Sequence, residues 1–315
     1  LAELGPLLRR HQMTTVSARP ADARTSSASA RLRRAGRIRR GRSSLIFHVV
    51  ALALTLVVLY PAVWMIVSTF KPSHSIVGDP SLVPHHASLD NVVTALSGIG
   101  GISFWTFVGN SVLLAVASVI GVVFSCSLAA YAFARVEFRG RGVFFSMMIG
   151  TLLLPLHVVI IPQYILFNRL GLVNTFVPLL LGKFLAVDSF FVFLMVQFMR
   201  NLPRQLDEAA RIDGAGHIRI FFSIMVPLMR PAFITSSIFA FIWSWNDFLG
   251  PLIYLKRPDM YTLPIALRLY VDQTSVSDYG AQMAMAVLAL VPVLLFFLVF
   301  QRYLVEGVAT QGLKG

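Results

Sequence analysis

Six uninterrupted apolar runs set the limits on what this chain can become. They cover residues 45–69, 107–133, 143–167, 176–198, 233–254 and 283–303, and each is long enough to cross a hydrocarbon core of roughly 30 Å as a helix. With no water inside a bilayer, backbone N–H and C=O groups must find partners within the protein, which leaves helices or a closed barrel. A barrel needs short strands of alternating polarity. These runs are continuous, so the reading is an all-α, polytopic membrane protein with six transmembrane helices. Composition agrees: 57% of the 315 residues are hydrophobic and only 13% are charged, more apolar than one soluble core requires.

Charge placement sets the orientation. A net charge of +13 would suit nucleic acid, but 11 of the 27 basic residues are arginines within residues 1–44, beside only Glu3 and Asp22. This Arg-, Ser- and Ala-rich stretch has no sustained apolar period and reads as a disordered basic tail, separate from a membrane domain over 45–315. Its cluster from Arg31 to Arg42 abuts the first span, where anionic lipid headgroups are its natural contact; an organelle transit peptide has a similar composition and is the other reading. An even number of spans puts both termini on one face. That face carries 21 of the 27 Lys and Arg against 5 on the other, with Lys183 inside a span, so the termini are expected to be cytoplasmic. Cys126 stands alone in the second span, which excludes a disulfide framework and a Cys-based zinc site.

Residues 199–231 break the apolar pattern. Asn201 can cap a helix that tolerates Pro203 in its first turn, and Arg204, Asp207, Glu208 and Arg211 can form charge pairs along it. Ala209 and Ala210 leave a flank on which another surface can lie close. Gly214 and Gly216 permit the left-handed turn that ends a helix. A second short helix follows, with Ile218, Phe221, Phe222 and Met225 as its apolar stripe, until Pro227 and Pro231 stop it. An ordinary covering loop would show much of the same composition.

The same residues carry a resemblance. Glu208-Ala209-Ala210, three residues, Gly214, nine residues and then Ile224-x-Val226-Pro227 resembles the EAA motif of ABC importer permeases, with Val226 where that family usually has Leu. "EAARIDGA" followed by "VPLMRP" is similar to the carbohydrate-uptake branch, of the maltose-transporter second-permease type. "FVGNSVLLA" at 107–115, "SWNDFLGPLIY" at 244–254 and "QRYLVEGVATQGLKG" at 301–315 agree, so the likeness covers about residues 45–315. It implies a bacterial inner-membrane permease that forms half of a carbohydrate pathway. Its implied partners are a second homologous permease, a dimer of ABC ATPase subunits and an extracytoplasmic solute-binding protein. Glu208, Ala209, Ala210, Asp213, Gly214 and Pro227 would belong to the ATPase-coupling loop, and Gly312, Lys314 and Gly315, in a C-terminal tail of about 304–315, would also reach the ATPase. The segment 256–282, with its aromatic and aliphatic mix, would face the binding protein.

No G-x-x-x-x-G-K-[ST] occurs in the chain, so no phosphate-cradling loop is present and no catalytic role is expected; ATP and Mg would be bound by partner subunits, with no cofactor or metal held here. Polar groups within spans are costly and usually face a cavity or a partner. Asn110, Gln163, Asp188, Trp245, Asn246 and Asp247 are the candidate pathway-lining residues, with Lys183, Gln197 and Trp243 beside them; hydrogen bonding between helices is the alternative role for each. Lys183 and Asp188 stand about 140° apart on a continuous helix, poorly placed to pair. Pro155 and Pro162 are expected to kink the third span. A permease for peptides, amino acids or ions, a self-powered secondary transporter using Asp188 and Asp247, and a non-transporting scaffold are the competing readings.

Overall fold

The structure is a computed structural model; it describes the backbone of residues 23–84, 86–271 and 277–312, and side-chain surroundings within residues 46–301 apart from 85, 156, 157 and 272–276. Among the described residues the architecture is helical, the one strand-like feature being an isolated bridge between Ile99 and Ile102. Among the described residues, those up to Pro61 form one compact unit and those from Ala62 a second.

Helix α1 (Ala23–Ser68) starts long before the first apolar run. Residues 23–44 of the basic tail expected over 1–44 continue this helix, and residues 1–22 lie outside the described residues. The physical reason is local: Ala and Arg are strong helix formers, and a helix already nucleated in the apolar run extends at one hydrogen bond per added residue. Phe47, Leu54 and Val58 along it are exposed, as side chains meant for lipid are.

In the second unit α2 (Asp90–Ser97) precedes α3 (Phe104–Arg135), the element on which the unit is built. Ser103 caps α3 by accepting the amide N–H of Trp105 at 3.3 Å. Ser111, Ala115, Ser118, Gly121 and Ser125 are buried along it, a small-residue seam that lets other helices approach closely. Against α3 pack α6 (Val177–Phe184), α7 (Ser189–Arg200) and α11 (Arg230–Trp245). Ser118 and Ser244 meet across the seam at 3.1 Å.

Four helical stretches are long and apolar enough to cross a membrane among the described residues: 46–68, 104–135, 177–200 and 279–301; a bent pair, 217–228 with 230–245 at 75°, makes a fifth if taken as one span. The third expected span is divided into α4 (Arg141–Thr151) and α5 (Leu156–Arg169). Proline disfavours helical geometry in the residue before it, and the break at 152–155 ends on Pro155, whereas Pro162 stays inside α5. At 11 and 14 residues, these helices are about 16 and 21 Å long, each too short to span alone.

The Phe104 end of α3 carries an ordered cap where the prolines suggest irregular chain. Lys71 is fully buried, its ammonium donating to the carbonyls of Asp79 at 2.9 Å and Ser81 at 2.6 Å, with the Asp79 carboxylate 3.0 Å away. Hydrogen bonds from the Ser81 side chain and amide, and then the Lys71 ammonium, hold the Asp79 carboxyl well below the usual carboxylate range. A pKa lowered on folding adds stability that is present above the unfolded value, about 3.9, and is lost as pH falls through the folded one, so this pair should leave the cap unchanged between about pH 5 and pH 8.

The cap is tied to α14 (Tyr279–Gly312) through Ser73, whose hydroxyl reaches Asp278 Oδ1 at 2.6 Å and Asn91 Oδ1 at 3.2 Å. Gly280 sits against this knot; a Cβ there would lie 2.2 Å from Asn91 Oδ1 and 2.4 Å from Ser73 Oγ. Gly280→Val should therefore pry the segment off α14 and speed chymotryptic cleavage after Phe70, beside the buried Lys71, several-fold in membranes. Unchanged cleavage would show that the knot does not hold the cap. Nearby, α13 (Leu263–Leu269) buries Leu263, Ile265 and Ala266, and Tyr270 is buried beyond it. Leu263, Ala266 and Tyr270 thus share a core with Phe104, Phe107 and Met285.

Candidate functional site

At the Arg135 end of α3 the polar stretch folds as α8 (Gln205–Ile212), α9 (His217–Ile220), a π turn at Phe221–Met225 and α10 (Val226–Leu228), leading into α11. Asn201 ends α7 instead of capping α8, and Arg204 holds the cap position of α8 without a side-chain bond. Gly214 has φ +79. Around it the amide of Ala215 donates to Ala210 O at 2.9 Å and that of Gly214 to Arg211 O at 3.0 Å, the paired bonds of a Schellman motif. A Cβ at Gly214 would meet no atom within 4 Å, so the demand for glycine is conformational and not one of space.

One bond set, missed by sequence reasoning, joins this end to the bundle. Arg135, the last residue of α3, is buried; its guanidinium donates to Asp207 Oδ2 at 3.1 Å, to Met199 O at 2.6 Å and to Leu202 O at 2.8 Å. One cation thereby ties α3, the end of α7 and α8 together. Asp207 pairs with Arg135 and not with Arg204 or Arg211, and Arg204 faces Glu137 at 3.9 Å, an exposed pair; among the described ion pairs none joins two residues of α8. The only sequence signal was Arg135's place at the abrupt end of an apolar run.

Arg135, Glu137, Arg204, Asp207, Glu208, Arg211 and His217 line a polar cleft of about 340 Å³. His217 Nδ1 lies 3.2 Å from the Tyr131 hydroxyl. Glu208 and Ala209 are exposed while Ala210 is buried, so α8 presents one side outward and seats the other. Asp213 and Pro227 are exposed as well. The apolar stripe expected from α9 onward divides: Phe221 and Met225 are buried, but Ile218 and Phe222 are 78% and 54% exposed. The π turn has i→i+5 geometry and rotates the register, so Ile220, Met225 and Met229 line up inward instead.

The candidate pathway residues do not form one group. Trp245 is 3% exposed and stacked on Phe241; Trp243, two positions earlier, is 47% exposed beside Phe190 and Phe191. Asn110 spends both amide hydrogens on the carbonyls of Asp259 and Tyr261, at 2.9 and 3.0 Å. Asn246 bonds back to Ile242 O at 2.8 Å. Asp247 accepts the amide of Gly250 at 3.1 Å, in the first turn of α12 (Leu249–Tyr254). Gln163 is half-buried on α5 and Gln197 exposed on α7. Lys183 and Asp188 do pair, at 2.8 Å, because the chain unwinds between α6 and α7 with Ala186 at φ +55. Gly312 ends α14, and Lys314 and Gly315 lie outside the described residues.

Membrane-length apolar helices with a C-capped, bundle-anchored surface helix at one end define the class, a polytopic membrane protein. Residues 121–310 match the family described as "Binding-protein-dependent transport system inner membrane component", and the chain belongs to that family. It is 34% identical over 269 residues to the arabinooligosaccharides transport system permease AraQ of Halalkalibacterium halodurans, covering 83% of this chain and 93% of that protein. It is 34% identical over 272 residues to the diacetylchitobiose uptake system permease NgcG of Streptomyces coelicolor, covering 86% and 89%. The trehalose/maltose transport system permease MalG of Thermococcus litoralis is 30% identical over 265 residues, covering 84% and 95%. The fold is similar to a chain in the crystal structure of a bacterial ABC transporter involved in the import of the acidic polysaccharide alginate, with a TM-score of 0.72, 24% identity and 83% and 98% coverage.

Proposed function

We propose that this chain is the permease subunit of an ATP-driven ABC importer and forms half of the pathway for an oligosaccharide. The observation that carries the reading is α8: a helix with Glu208 and Ala209 facing outward, ended by a left-handed Gly214 and fastened to α3 and α7 through Arg135. Rigid-body rocking of a bundle needs a firm lever at the contact where force enters, and this arrangement supplies one. The sugar class is drawn from the relatives named above, which share most of this chain's length.

In this reading α4 with α5, α6 with α7, and α11 with α12 are broken spans, giving six crossings in all with α1, α3 and α14. The α8 end and both termini are cytoplasmic, following the basic residues. Glu208, Ala209, Ala210, Asp213, Gly214 and Pro227 form the coupling loop, and the tail through Gly312, Lys314 and Gly315 approaches the ATPase pair, whose subunits bind ATP and Mg. A second permease completes the pore and a binding protein delivers the sugar to the capped end. Affinity purification of the tagged chain from native membranes should bring down an ATPase subunit and a second permease, and the isolated complex should hydrolyse ATP. A purified chain that moves sugar alone, driven by an ion gradient, would contradict this and support a secondary transporter.

A further inference from the structure

Lys183 and Asp188 occupy a place where charge is costly. Ser125, which clasps the break beside them, lies ten residues before Arg135 on α3, about 15 Å from that end and about 31 Å from Phe104. The pair therefore sits within the hydrocarbon slab, where ionised groups must be paired or face water. They are paired at 2.8 Å, yet their side chains stay 28% and 30% exposed.

The break is built rather than incidental. Ser125 Oγ donates to Lys183 O at 2.6 Å and accepts the amide of Ala186 at 3.1 Å, so one hydroxyl serves a backbone acceptor and a backbone donor at the break. Gly121 brings α3 close at the same level, since a Cβ there would lie 2.9 Å from the Phe184 ring and 3.1 Å from the Lys183 carbonyl carbon. A second carboxylate is near: Gly250 separates Asp247 Oδ2 from Leu179, with its Cβ position 2.6 Å from the first and 3.0 Å from a methyl of the second, and Leu179 precedes Lys183 by one turn of α6. The local balance is one ammonium against two carboxyl groups.

We propose that the Lys183–Asp188 break is a wetted polar station on the transport path that exchanges hydrogen bonds with uncharged, hydroxyl-bearing solutes and disfavours anionic ones. It rests on the importer reading. An ammonium and a carboxylate offer donors and acceptors side by side, which ring hydroxyls match. The ammonium's charge is already met by Asp188, so a sugar acid would find no free cation there and would feel Asp247.

The test uses the complete transporter carrying Cys126→Ala and either Lys183→Cys or Asp188→Cys, with cationic and anionic methanethiosulfonates of equal size as probes and the labelled peptide of this chain read by mass. Both positions should react. The cation-to-anion rate ratio should be greater for Lys183→Cys, which leaves only carboxylates, than for Asp188→Cys by about tenfold or more. Absence of labelling at both positions, or equal ratios, would overturn the proposal. If a cysteine variant fails to assemble, the near-isosteric Asp188→Asn serves: digalacturonate should alter the ATPase rate of the complex, without binding protein, in this variant and not in wild type, and equal effects in both would overturn it. Intact ATP-driven uptake with no labelling would sink the station alone, whereas charge-dependent labelling without ATP-driven uptake would sink the importer reading alone.

Discussion

Arg135→Ala should leave the chain in the membrane and disconnect its transport from ATP hydrolysis. The guanidinium is the single group that bonds Asp207, Met199 O and Leu202 O. Its removal strands the Asp207 carboxylate, which is buried and already has one oxygen, Oδ1, without a partner. Removing one member of a buried ion pair costs about 3–5 kcal/mol, and here the loss falls on the joint between α8 and the bundle and not on the apolar clusters elsewhere. Sugar moved per ATP hydrolysed should fall by about tenfold or more, since each 1.4 kcal/mol lost at the joint is a factor of ten in its equilibrium. Arg135→Lys should recover only part, because one ammonium lacks the planar fork that serves several acceptors at once. A role confined to folding would lower the amount of assembled complex and leave that ratio unchanged, so the ratio separates the two. A ratio at the wild-type level in Arg135→Ala would remove the clamp from the account.

Gly214 shows what sequence can carry. A helix with small residues on one flank, followed by glycines at 214 and 216, calls for a left-handed C-terminal turn, and the structure has it at Gly214 with φ +79. What was hidden lies in pairings across distance. Arg135 and Asp207 are 72 residues apart, and no periodicity links them; on sequence alone Asp207 looked like a partner for its own helix. Lys183 and Asp188 appeared mismatched because the 3.6-residue period assumes an unbroken helix, and the break depends on Ser125, far away on α3. Trp243 and Trp245 could not be told apart because α11 has its small polar residues, Thr235, Ser236, Ser237 and Ser244, spread around the helix, so its pattern does not point to the buried face. The division of the third span was half visible: Pro155 marks where it occurs, but the sequence alone suggested a kink in one helix and not two separate ones.

Glu208 tests the central claim most directly. It is exposed at the mouth of the polar cleft, beside exposed Ala209, and no described ion pair uses it. If α8 seats in an ATPase subunit, this carboxylate is placed to make a charge-assisted bond with an Arg or Lys there, stronger than a neutral one. If α8 only covers the bundle, Glu208 has at most solvated contacts with its own helix, worth about 0.2–0.5 kcal/mol. The measurement is ATP-driven sugar uptake by proteoliposomes containing Glu208→Lys, together with the amount of ATPase subunit retained on the membrane. The account predicts release of the ATPase or hydrolysis without uptake, with partial rescue when the facing charge on the ATPase is reversed. Retention, hydrolysis and uptake all at wild-type levels would contradict the coupling role of α8.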